Sequence, residues 1–77
     1  MIKLLYFAGL REVSGMTEEK VDLGGLTVEG LLAWAADKYP NLPVDSLRVA
    51  VNEEYALTSD VLKDGDVVAF IPPVSGG

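Results

Sequence analysis

Cysteine and histidine are both absent from the 77 residues. Without thiols there is no disulfide framework, no thiolate nucleophile, no Cys-based zinc site and no persulfide held on a side chain. Without imidazole, a Ser-His-Asp arrangement, a histidine metal site and a switch titrating near neutrality are excluded. Basic residues are scarce. Six against twelve acids leave a formal charge of −6 and a pI near 4.3, the reverse of the basic footprint a nucleic-acid binder needs, so a partner with a basic surface is expected instead. Glycine-rich phosphate cradles are missing too: no two glycines have G-x-G spacing and none precedes a lysine, so the chain supplies no P-loop of its own. Long apolar runs are lacking. The stretch Leu4 to Leu10 could pass for a signal-peptide core, but Arg11 and Glu12 stand where the small residues of a cleavage site belong. Nothing approaches the roughly 20 residues of a membrane span, and the chain is read as cytoplasmic with no membrane partner.

What is present describes one small folded domain. Apolar residues make up 49% of the chain, enough for a single thin core at this size and too little for a deep private substrate cavity. Ile2 to Ala8 is β-branched, aromatic and aliphatic, of strand length, and Lys3 sets the odd positions, with Leu5 and Phe7, on the outward face. A helical turn follows Gly9, and a second strand is expected from Glu18 to Leu23. Thr27 offers an N-cap oxygen to a helix whose apolar positions, Val28, Leu31, Leu32, Ala35, Ala36 and Tyr39, form one face. Pro40 biases Tyr39 out of that helix. Trp34 lies at the edge of the stripe and is read as a ring folded over the core margin rather than an exposed binding residue. Leu47 to Asn52 alternates as a strand, a short strand is a candidate around Tyr55 to Leu57, and Lys63-Asp64-Gly65-Asp66 is a turn into a buried strand, Val67 to Ile71. The order β, β, α, β, β predicts an α+β domain: a mixed sheet packed on one main helix, the β-grasp arrangement, over residues 1–71.

Candidate chemistry narrows to the far end. The pairs Glu18-Glu19, Glu53-Glu54 and Asp64/Asp66 lack calcium-loop spacing and read as solvated surface or turn residues, so no metal site is expected. Pro72 and Pro73 end the last strand because neither donates to a ladder. Residues 72–77, Pro72-Pro73-Val74-Ser75-Gly76-Gly77, are expected to project as a tail. Glycines without Cβ can thread a narrow channel in another protein and present the Gly77 carboxylate with little hindrance. A carboxylate is a poor electrophile. Attack on the α-phosphate of ATP would turn it into an acyl adenylate with AMP as leaving group, and sulfur could then replace AMP to give a thiocarboxylate, a sulfur nucleophile that needs no cysteine. ATP with its magnesium, the sulfur source and the acceptor would all sit on partners, and this chain would bind no cofactor itself.

Leu5-Tyr6-Phe7-Ala8-Gly9-Leu10-Arg11-Glu12, Val49-Ala50-Val51-Asn52-Glu53 and Leu62 to Ile71 running into PPVSGG resemble the MoaD/ThiS family of ubiquitin-like sulfur carriers, and within it the small-subunit branch of molybdopterin synthase, over the whole chain. The resemblance implies the same β-grasp fold. It also implies that Gly77 is adenylated by an E1-like adenylyltransferase, receives sulfur from a donor such as a cysteine desulfurase system, and enters the large synthase subunit. There the sulfur would convert precursor Z (cyclic pyranopterin monophosphate) to molybdopterin, within a heterotetramer of two small and two large subunits. The large subunit would carry the catalytic side chains. Phe7, Tyr55 and Ile71 match the family's hydrophobic partner-binding positions; for Ile71 core packing is an equal alternative. Three other readings stand beside this one: a ubiquitin-like protein modifier, a sulfur carrier for thiamine synthesis, and a β-grasp interaction module with no tail chemistry.

Overall fold

The computed structural model describes residues 1–72. Strand β1 (Ile2–Tyr6) leads through a one-turn helix α1 (Leu10–Ser14) to β2 (Glu18–Val21), then helix α2 (Val28–Lys38), β3 (Arg48–Val51), β4 (Glu54–Tyr55) and β5 (Val67–Ile71). The sheet order is β2-β1-β5-β3-β4, antiparallel throughout except for the central β1–β5 pair, which runs parallel. This is the mixed sheet expected from the sequence.

Period-two patterning selects the faces. Ile2, Leu4 and Tyr6 of β1 and Val68 and Phe70 of β5 are buried beneath α2, while Leu5, Phe7, Ala69 and Ile71 fall on the opposite face. On α2, Val28, Leu31 and Ala35 are buried and Leu32 packs at the margin, as does Tyr39, the residue that caps the helix. Thr27 Oγ1 accepts from Gly30 N–H at 3.1 Å. The remaining free amides of the first turn find main-chain acceptors, Val28 N–H on Asp60 O (2.9 Å) and Glu29 N–H on Thr58 O (3.0 Å), which pins the long β4–β5 connection against the helix start. Trp34 is half-buried against the core with Lys38 Nζ 5.1 Å from its ring centre, as the stripe-edge position implies.

Several boundaries differ from the sequence reading. β1 stops at Tyr6, because Ala8 adopts φ +52° and turns the chain into α1. β2 stops at Val21, with Leu23 still touching the core. The short strand is Glu54–Tyr55 rather than Tyr55 to Leu57, because Asn52 and Glu53, at φ +52° and +72°, make a tight two-residue reversal that starts the return strand one residue earlier. Leu42 and Leu62, outside every periodic segment, are core residues at 4% and 1% exposure.

One polar cluster ties β2 to the end of α2. Glu19 Oε1 accepts from the hydroxyls of Tyr6 (2.8 Å) and Tyr39 (2.9 Å), and Oε2 accepts from Lys38 Nζ. Burial raises the Glu19 carboxyl, but the hydrogen bonds from Lys38, Tyr6 and Tyr39 outweigh it and leave it below the ordinary glutamate range. Burial, then the bond to Glu19, pushes the Tyr6 phenol well up. A carboxylate with a lowered folded-state pKa stabilises the fold above its unfolded value of about 4.3, and that contribution disappears as pH falls through the folded value. Glu19→Ala leaves the buried Tyr6 hydroxyl without its acceptor and is expected to cost about 1–3 kcal/mol at pH 7. Urea titrations between pH 7 and 3 check both points: the variant starts less stable and loses less on acidification than the parent chain.

Candidate functional site

Among the described residues both helices pack on the core side of the sheet, and neither covers its outer face. Along it the parity of three strands converges: Phe7 just past β1, Ile71 at the end of β5, and Tyr55 on β4 opposite Ala50 of β3. With Ala50, Ala69 and Glu53 these residues line an open groove of about 320 Å³. The floor is low because small alanines, Ala50 on β3 and Ala69 on β5, occupy outward positions side by side in register. The walls are aromatic and aliphatic. Tyr55 is 68% and Phe7 45% exposed, and large rings gathered at one place and left in solvent mark an interaction surface more often than scattered apolar residues do.

Local chemistry holds each wall in position. Phe7 O accepts from Leu10 N–H (3.0 Å), so the start of α1 fixes the residue at the point where the chain leaves the sheet. Asn52 holds the β3–β4 reversal against β5: its main-chain N–H donates to Val67 O (2.8 Å), its Oδ1 accepts from Val67 N–H (2.9 Å), and its Nδ2 donates to Asp66 Oδ1 (3.0 Å). Asp66 Oδ2 accepts from Lys63 N–H (2.8 Å). That backbone donor and the Asn52 amide hold the Asp66 carboxyl below its usual range. Gly65, at φ +94°, supplies the left-handed turn residue before β5.

The structure therefore brings Phe7, Tyr55 and Ile71 to one groove. Ile71 faces outward, because its neighbour Phe70 takes the core position. Pro72 follows directly, so the chain leaves the sheet beside the groove. Pro73, Val74, Ser75, Gly76 and Gly77 lie outside the described residues. Sequence reasoning did not single out Ala50, Ala69 and Glu53 as lining residues. Strand parity would have found the first two, since an alanine at an outward position of a central strand leaves a hollow rather than a knob. Among the described residues no group of three or more acidic side chains is disposed to hold a metal ion, and no helix is long and apolar enough to cross a membrane.

Comparisons with known proteins place this geometry. The sequence profile of the ThiS family matches residues 4–77. The chain is 47% identical to the molybdopterin synthase sulfur carrier subunit of Chlamydomonas reinhardtii, covering 99% of this chain and 98% of the relative. It is 44% identical to the subunit of the same name from Mycobacterium tuberculosis, covering 99% and 96%. Among solved structures it is similar to SAMP1, small archaeal modifier protein 1, from Haloferax volcanii, with a TM-score of 0.81 and 32% identity over 99% of this chain and 98% of that one.

Proposed function

The chain belongs to the ThiS family, and from that membership we propose that it is the sulfur carrier subunit of a molybdopterin synthase. The observation that carries this reading is identity of up to 47% over essentially the whole chain to relatives bearing that name. The reaction needs one group from this chain, the Gly77 carboxylate. It attacks the α-phosphate of ATP on an activating partner, expelling pyrophosphate. The acyl adenylate loses AMP to a sulfur nucleophile from a donor, and the resulting thiocarboxylate passes its sulfur to precursor Z in the large subunit. That sulfur is first bonded to both the Gly77 carbonyl and the pterin, and hydrolysis of this thioester restores the carboxylate and leaves the sulfur on the pterin. The absence of cysteine is consistent with sulfur being held on the C-terminus. Pro72 and the residues after it to Gly76 are the segment that enters the partner, and Phe7, Tyr55 and Ile71 are the surface that docks beside it.

The test is intact-mass measurement with fragmentation after incubation with ATP, magnesium, the activating enzyme and a sulfide source. Replacement of one oxygen by sulfur at Gly77, followed by conversion of precursor Z with the large subunit, is expected; an unmodified terminus under those conditions overturns the reading. A second reading, a protein modifier, is favoured by the likeness to SAMP1. It shares the adenylate and diverges at the acceptor, so conjugates joining Gly77 to a lysine amine in the same mass spectra would identify it.

A further inference from the structure

Arg48 leaves β3 on the same outer face as the groove, two positions before the floor residue Ala50, and among the described residues no side-chain bond accounts for it. It lies directly across from Ile71 in the β3–β5 register, so both side chains leave the same face of the sheet. Its guanidinium carbon sits 5.5 Å from the ring centre of Tyr55. The chain carries twelve carboxylates and six basic side chains; Lys3 and Lys38 are each paired with a carboxylate, and of the four that are not, Arg11, Lys20, Arg48 and Lys63, Arg48 is the one held over an aromatic ring among the described residues. Arg48, among the described residues, forms no ion pair and donates no side-chain hydrogen bond.

Stacking against an aromatic ring engages the flat face of a guanidinium and leaves its in-plane N–H donors free. The ring also restricts the arginine's rotamers, so part of the ordering cost of a bound state is already met. A planar fork of donors held beside an apolar groove fits one kind of complement: a carboxylate accepting two parallel N–H bonds, flanked by an apolar side chain that fills the groove. An acidic chain docking on a basic surface is steered there by charge, and individual oppositely charged pairs across the interface fix its register. A single cation beside the point where the chain leaves the sheet, meeting a single carboxylate, supplies such a pair.

We propose that Arg48 is the polar anchor of the docking face, pairing with an Asp or Glu side chain of the large subunit while Phe7, Ile71 and Tyr55 enclose an apolar neighbour of that acid. The inference rests on reading the groove as the surface that docks on the large subunit. Arg48 would act as a positioning residue, since it fixes the register in which the tail enters and touches no reacting atom.

The test measures binding of the full chain to the large subunit by calorimetry, for the parent, Arg48→Ala, Arg48→Glu, Arg48→Lys and Phe7→Ala, with thermal unfolding of each as the control for folding. Arg48 is exposed, so its variants are expected to melt as the parent does. Arg48→Ala should weaken binding about tenfold or more, Arg48→Glu further still through repulsion, and Arg48→Lys should fall between parent and Ala because it keeps the charge and loses the fork. Phe7→Ala should weaken binding about fivefold or more. Loss in Phe7→Ala with none in Arg48→Ala overturns the Arg48 proposal and leaves the groove as the docking face. No loss in either removes the groove reading and the proposal with it. Equal losses in Arg48→Ala and Arg48→Glu would mean that the arginine only packs on Tyr55, and would overturn the carboxylate.

Discussion

Adding one residue after Gly77 is expected to cut sulfur transfer to precursor Z by about a hundredfold or more while leaving the folded domain unchanged. An extended chain advances about 3.3–3.6 Å per residue, so the added residue either moves the reacting carbonyl that far from where docking of the domain places it or buckles the tail within the partner. Displacements of even 1 Å from a productive geometry can cost about a hundredfold in rate. An added side chain also brings a Cβ into a passage that, on this reading, accommodates two glycines. The last element among the described residues, β5, ends at Ile71, six positions before the added residue's neighbour Gly77, so the melting temperature should match the parent's. A single-turnover assay with the large subunit, using chain first converted to the thiocarboxylate and verified by mass, separates transfer from activation. Full transfer from the lengthened chain would remove the requirement for a terminus of fixed length and favour a carrier whose tail does not thread.

Much of this arrangement is legible from residue order. The face assignment of β1 follows from Lys3, and with it the outward placement of Phe7. The helix and its cap follow from Thr27 and an apolar stripe at helical spacing. Legibility fails where the controlling interaction is non-local. Leu42 and Leu62 are buried because the β4–β5 connection and the segment after α2 fold back over the core, and no periodicity marks an isolated leucine in a loop. Glu19 reads as a solvated acid beside Glu18, yet it accepts bonds from Tyr6, Tyr39 and Lys38, partners as far as 20 positions away. The Asn52-Glu53 reversal has no glycine to announce it; Asn52 tolerates the left-handed region and its amide is fixed by Val67 and Asp66. For the groove, the walls are visible as aromatic and aliphatic residues. Its floor is visible only once β3 and β5 are known to be neighbours, because an alanine carries no message about what lies beside it.

Phe70 and Ile71 are adjacent in sequence and are expected to fail in opposite ways. Phe70 is fully buried on the central strand pair, its ring 5.6 Å from that of Tyr6. Truncation to alanine removes a ring at the point where β1, β5 and α2 meet, and a Phe→Ala change in such a site costs about 3–5 kcal/mol. A domain of this size holds roughly 4–12 kcal/mol in total, so Phe70→Ala should lower the melting temperature by roughly 15 °C or more and leave a sizeable unfolded fraction at 37 °C. Ile71 is half-buried on the outer face, and its truncation should cost the free chain about 1 kcal/mol or less while weakening attachment to the large subunit. Calorimetric melting of both variants, paired with binding measured at a temperature where each is folded, distinguishes the two roles. Folded Phe70→Ala should bind like the parent, because its side chain never reaches the groove; Ile71→Ala should melt near the parent and bind more weakly. The reverse pattern would place the docking surface on the helix side of the sheet and would remove the groove from the mechanism.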